Sequence, residues 1–142
     1  MKAGLALKVG APLVLAGVLL AIAAAGYWFK RPAVAVAVAC TQPLQGCMFS
    51  HRGLPARLRF AAPPVTMQPF GVEVRAPGSR RVSAEFRMMG MDMGFTRYTL
   101  NATGDGQFAA SVTLPVCVSG QRSWQVVLDI DGQRYAIPFS TR

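Results

Sequence analysis

Four methionines fall within six positions of the segment EFRMMGMDMGF, residues 85–95: Met88, Met89, Met91 and Met93. Thioether sulfur is soft and uncharged, and such ligands select Cu(I) over the hard ions common outside cells. On a strand over 81–89, alternation turns Val82, Ala84, Phe86 and Met88 inward and leaves Ser83, Glu85, Arg87 and Met89 on the wet face. Gly90 and Gly94 then flank Met91-Asp92-Met93 and admit backbone conformations that other residues avoid. Met89, Met91 and Met93 keep two-residue spacing, so three thioethers can converge on one turn, with Asp92 a poor Cu(I) ligand among them. His51, the only histidine, follows Cys47 and Met48 and would make a strong fourth ligand. The competing reading is packing: methionine commonly fills irregular core space, as expected for Met88. Outward methionines would then be covered by a partner protein or the bilayer surface.

The three cysteines allow one disulfide and one thiol. Cys40 and Cys47 enclose a loop with Pro43 and Gly46 that can close at small strain. A Cys47–Cys117 bridge is the alternative, and spacing does not decide between them. Redox catalysis would want CxxC spacing or a cysteine beside a base, and the chain has neither. With one histidine, six carboxylates, and no GxSxG, HExxH or phosphate loop, no enzyme activity is expected.

The elements that must position these residues begin with an apolar run. Hydrophobic residues make up 52% of the 142 positions and charged ones 15%, too apolar for a water-soluble chain unless one segment lies in lipid. That segment is VGAPLVLAGVLLAIAAAGYWF, residues 9–29, free of charge and closed by Lys8 and by Lys30-Arg31. At about 1.5 Å per residue it matches a hydrocarbon layer of about 30 Å. Tyr27 and Trp28 suit the lipid–water boundary. A cleaved signal peptide has a shorter apolar core, so an uncleaved anchor is expected. The expected organisation is a cytoplasmic tail (1–8), a transmembrane anchor (9–29), a connector holding Cys40 and Cys47 (30–53) and a β domain (54–142). Positive charge at the amino terminus favours a single pass with the C-terminal domain outside.

From Leu54 onward, short alternating stretches are separated by Gly, Pro, Asn and Asp, the pattern of an antiparallel β-sandwich. Strands are predicted over 56–61, 70–76, 81–89, 95–102, 107–114, 124–130 and 134–140. The turns lie at Pro77-Gly78-Ser79, Thr103-Gly104-Asp105-Gly106 and Asp131-Gly132. Val72 and Val74 should face in and Glu73 and Arg75 out, while Trp124, Val126, Leu128 and Ile130 share one buried side. The net charge of +9 comes from basic residues scattered in runs no longer than two, without an aromatic–glycine ribonucleoprotein pattern. Nucleic acid is therefore not an expected partner, and anionic lipid headgroups are the more natural use of this charge.

The stretch from Phe70 through Trp124 resembles the bacterial YtkA-like and FixH-type membrane-anchored extracytoplasmic domains. The shared features are a hydrophobic strand, a strand ending in a methionine and glycine turn (MMGMDMG), an aromatic strand (FTRYTL), a glycine hairpin and a strand beginning at Trp124. The resemblance implies an immunoglobulin-like sandwich on one transmembrane helix in the bacterial inner membrane, with its C-terminal domain in the periplasm. It further implies Cu(I) delivery, or assembly of a haem-copper oxidase, with an oxidase subunit or another copper carrier as partner. Met89, Met91 and Met93 match the methionine turn; the CTQPLQGC connector and Cys117 lie outside the pattern.

Overall fold

Alternation of apolar and polar residues, carried through nine short segments, gives the chain a mainly β fold. A computed structural model describes residues 3–29, 33–90, 96–116 and 120–141, with side chains from Leu13 onward. The chain divides into two units, Met1–Pro32 and Ala33–Arg142. The first is a helix, α1 (Ala3–Phe29). Its described large apolar side chains, among them Leu13, Leu20, Ile22 and Trp28, are exposed. Among the described residues, no helix is long and apolar enough to cross a membrane. The described side chains of α1 cover residues 13–29 of it.

The second unit holds β1 (Val36–Ala37), β2 (Cys47–His51), β3 (Leu54–Phe60), β4 (Pro69–Arg75), β5 (Val82–Met88), β6 (Thr96–Gly104), β7 (Gln107–Thr113), β8 (Ser123–Ile130) and β9 (Gln133–Ser140). They form one ladder in the order β1-β9-β8-β5-β6-β7-β4-β3-β2. Among the described strands, only β1 with β9 is parallel. The nine-residue β6 serves both halves: its start pairs with β5, from Thr96↔Phe86 to Leu100↔Val82, and its end pairs with β7, from Asn101↔Ala109 onward. The ladder therefore curls, and its two halves meet across an aromatic core. Phe60 of β3 lies edge-on to Phe139 of β9 at 5.1 Å, Phe70 of β4 to Phe86 of β5 at 6.2 Å, and Phe49 of β2 packs on Tyr135 of β9 at 4.7 Å. Burying each such ring contributes about 1.5–3 kcal/mol, with some extra from the edge-to-face geometry.

The seven predicted strands appear within two residues of their expected ends, and the faces follow the alternation. Val72, Val74, Trp124, Val126, Leu128 and Ile130 are buried, while Glu73 and Arg75 are exposed. The connector over 30–53 is corrected: it carries β1 and β2, and the β unit starts at residue 33. Cys47 and His51 bury at the two ends of β2, and its pairing with β3 is closed by Arg52 and Gly53, both at positive φ (51° and 79°). Two consecutive residues of that kind make the turn whose twist matches a hairpin. The Cys40–Cys47 disulfide forms, which excludes the Cys47–Cys117 alternative; Cys117 lies outside the described residues.

Candidate functional site at the methionine end of the sheet

β5 leads into Met88 and Met89. Phe86 and Met88 sit in the core, with Met88 opposite Trp124 of β8, and the next residue changes sides. Met89 is 43% exposed. Its backbone is fixed at both groups: the N–H donates to Ser123 O at 2.9 Å, and the C=O accepts from Gln121 Nε2 at 3.2 Å. Gly90 follows at φ 80°, a left-handed conformation that ends the strand. The Met89 thioether thus stands on an anchored strand end. A basin of about 480 Å³ lies beside it, lined by Met89, Gly90, Gln121, Trp124, Pro138 and Phe139. The buried indole Nε1 of Trp124 finds no hydrogen-bond partner among the described residues. Met91 and Met93 lie outside the described residues.

His51 is elsewhere. It is 2% exposed at the end of β2, and its Nδ1 lies 2.9 Å from the Tyr135 hydroxyl. That phenol donates to Gln133 Oε1 at 3.0 Å, which assigns the imidazole proton to Nδ1 and leaves the buried Nε2 without a partner among the described residues. Burial and then the Arg52 charge hold the imidazole below its usual pKa, against a smaller opposing pull from Asp131. Burial likewise raises the Tyr135 phenol. Tyr135 pairs with Leu128, whereas Met89 is bonded to Ser123. Five residues of β8 separate those levels, about 17 Å at strand rise. His51 is therefore not brought to Met89, because the hairpin that buries it also sends it to the far end of the sheet. Among the described residues, no three His, Cys, Asp or Glu side chains gather into a metal-binding group.

The charged residues hold an arrangement that alternation alone missed. Glu85 is on the outward face as expected, yet it is 3% exposed. Arg87 bonds it from the same strand, Arg97 of β6 at 2.9 Å and Arg134 of β9 at 3.2 Å. Burial alone would raise its pKa, but the hydrogen bonds from Arg97 and Arg87 and the charges of Arg87 and Arg134 outweigh that and hold it below the usual value. Val127, the β8 neighbour of Glu85, is likewise buried, at 3% exposed. The pairing of Glu85 with Arg134 spans 49 positions, so no local pattern announces it.

A second charged group closes the His51 end. Asp131 accepts the backbone N–H of Arg81 at 2.9 Å and of Arg80 at 3.1 Å, and pairs with Arg52 at 3.5 Å. Its burial is outweighed by these contacts, which hold its carboxyl below the usual range. The only local hint is the Arg80-Arg81 dipeptide after the Pro77-Gly78-Ser79 turn. No family model, curated protein or solved structure matches the chain.

Proposed function

We propose that the chain is a non-enzymatic accessory protein of the bacterial inner membrane that binds Cu(I) through Met89, Met91 and Met93. It delivers copper, or assists assembly of a haem-copper oxidase, from the periplasmic side. The observation that carries this reading is the exposed Met89 thioether, anchored at the end of β5 beside a glycine turn, next to a Met88 that is buried. Neutral sulfur ligands hold a soft ion without the charge attraction of thiolates, which suits a protein that must release its cargo. We leave His51 out of this ligand set, since it packs on Tyr135, about 17 Å along β8 from the level of Met89.

Three further observations support this reading. The described side chains of α1, residues 13–29, are exposed and carry no charge, which suits a helix solvated by lipid, and a single-pass anchor is the natural use of residues 9–29. The Cys40–Cys47 disulfide suits an oxidising compartment. The two halves of the curled ladder face each other as the layers of an immunoglobulin-like sandwich would, with β6 passing between them. Cu(I) titration of the full chain in maltoside detergent, with ascorbate as reductant and a competing chromophoric chelator, tests the reading. Wild type should take up copper and M89L/M91L/M93L should not; equal uptake by both ends the proposal.

A second reading is favoured by the apolar wall of Trp124, Pro138 and Phe139 beside Met89. There the methionine turn is a packing surface for a membrane partner, with arginines steering the approach. Leucine replaces methionine in packing but not in copper binding, so the same triple variant separates the two.

A further inference from the structure

The arginines of the β unit are unequally matched. Glu85 engages Arg87, Arg97 and Arg134, Glu73 lies 3.7 Å from Arg59, and Arg57 donates to Gln45 O. At the opposite end of the sheet from Met89, Arg52, Arg80, Arg81 and Arg97 line a basin of about 740 Å³ together with Ser83 and Asp131. The four arginines come from three places in the chain: the β2–β3 turn, the β4–β5 connection and β6. Such convergence is costly unless something negative shares the space.

The carboxylates in the basin, Asp129 and Asp131, offset its charge only in part, and although Arg52 pairs with Asp131 and Arg97 with Glu85, the side chains of Arg80 and Arg81 have no carboxylate partner among the described residues. Asp131 is taken up by the backbone N–H groups of Arg80 and Arg81 and by the Arg52 guanidinium. Asp129, also on its wall, accepts the Gly132 N–H at 2.8 Å. These contacts hold the backbone of Arg80 and Arg81 in place while their side chains stay exposed, with no ion pair among the described residues. Two adjacent guanidinium groups on a pinned backbone, with a hydroxyl from Ser83 and further forks from Arg52 and Arg97, present donors from several directions. A planar carboxylate holds its two oxygens in one plane, whereas a phosphate group, diester or free, sets its oxygens around a tetrahedron and so meets donors from several directions.

We propose that this basin binds a phosphate-bearing anion through the guanidinium groups of Arg80 and Arg81, with Arg52 and Arg97 closing its rim. The site stands independently of the copper reading, since it lies at the other end of the sheet and uses none of the methionines. A phospholipid headgroup and a free phosphate share this chemistry, and the experiment distinguishes them.

The full chain in maltoside detergent is titrated with inorganic pyrophosphate in one arm and short-chain phosphatidylglycerol in the other, with phosphatidylcholine as the neutral-lipid comparison. Backbone amide shifts at Arg80, Arg81 and Ser83 report binding. Saturable binding of at least one probe is expected: pyrophosphate alone marks a soluble ligand, phosphatidylglycerol alone a headgroup, and both the shared chemistry. R80A/R81A keeps the backbone bonds to Asp131 and should weaken binding by at least about tenfold, the worth of losing charge-assisted contacts. R75A/R122A removes the same charge elsewhere and should weaken it less than about threefold, as screening of distant charges allows. Arg52→Ala, on an exposed turn that tolerates truncation, should weaken it by an intermediate amount. No saturation by either probe, unchanged binding in R80A/R81A, or equal loss in the two double variants overturns the proposal.

Discussion

Replacing Glu85 by alanine should destabilise the β unit far more than an outward-facing strand position ordinarily would. The carboxylate is 4% exposed at its side chain and meets three guanidinium groups, but these differ in what they lose. Arg87 and Arg97 are 44% and 57% exposed, so they return to water at little cost. Arg134 is 12% exposed and would be left mostly buried without a carboxylate. Breaking a fully buried pair from one side costs about 3–5 kcal/mol, and partial rescue by the tip of Arg134 reaching solvent reduces this to about 2–3 kcal/mol. For a unit of this size that is about a 10 °C fall in Tm. The assay is thermal and urea unfolding of the full chain in detergent at pH 7, followed by near-ultraviolet circular dichroism from Trp124 in the core. The additional change Arg134→Ala should then cost less in the Glu85→Ala background than in wild type. The pH dependence carries a second signature. Because the folded pKa of Glu85 is lowered from 4.5, its stabilisation is complete above that value and is lost as pH falls through the folded pKa. Glu85→Gln should remove that component of acid sensitivity. A fall in Tm below about 2 °C for Glu85→Ala would refute the reasoning, since only surface pairs are worth so little.

Other outcomes follow from the same geometry. His51 has a folded pKa lowered from 6.5, so its stabilisation is full above 6.5 and declines as pH falls below it, by at most about 1.4 kcal/mol per pH unit; in His51→Phe, urea midpoints should lose that slope. Cys40→Ser opens a loop with a separation of seven residues and should cost about 2–3 kcal/mol on the chain-entropy estimate, read as a lowered Tm under non-reducing conditions. Gly106 and Gly78 both have φ above 70°, but a Cβ at Gly106 would meet Pro77 Cα at 2.8 Å while one at Gly78 meets nothing within 4 Å. Gly106→Ala should therefore destabilise by clearly more than the roughly 1 kcal/mol expected of Gly78→Ala, as compared by urea unfolding.

The strands were legible because alternation and turn chemistry agree along most of the β unit. Asp131-Gly132 reads as a hairpin turn and is one, with both residues at positive φ. The β2–β3 hairpin escaped because Arg52, not Asn or Asp, takes the first left-handed position, and the nearby prolines and cysteines read as connector. The switch from buried Met88 to exposed Met89 was legible, since it needs only strand period and a glycine. What lay beyond local pattern was long-range pairing. His51 does not sit beside Met89 because its place is set by Tyr135, 84 positions away. Glu85 is outward by period and buried by its arginines, two of them on other strands.

Copper K-edge X-ray absorption on the full chain loaded with Cu(I), in a Cys117→Ser background that removes the free thiol, tests the central claim most directly. Thioether sulfur should dominate the first shell of the bound ion and disappear in M89L/M91L/M93L. A shell of nitrogen and oxygen alone, or a sulfur shell that survives the triple substitution, would contradict it.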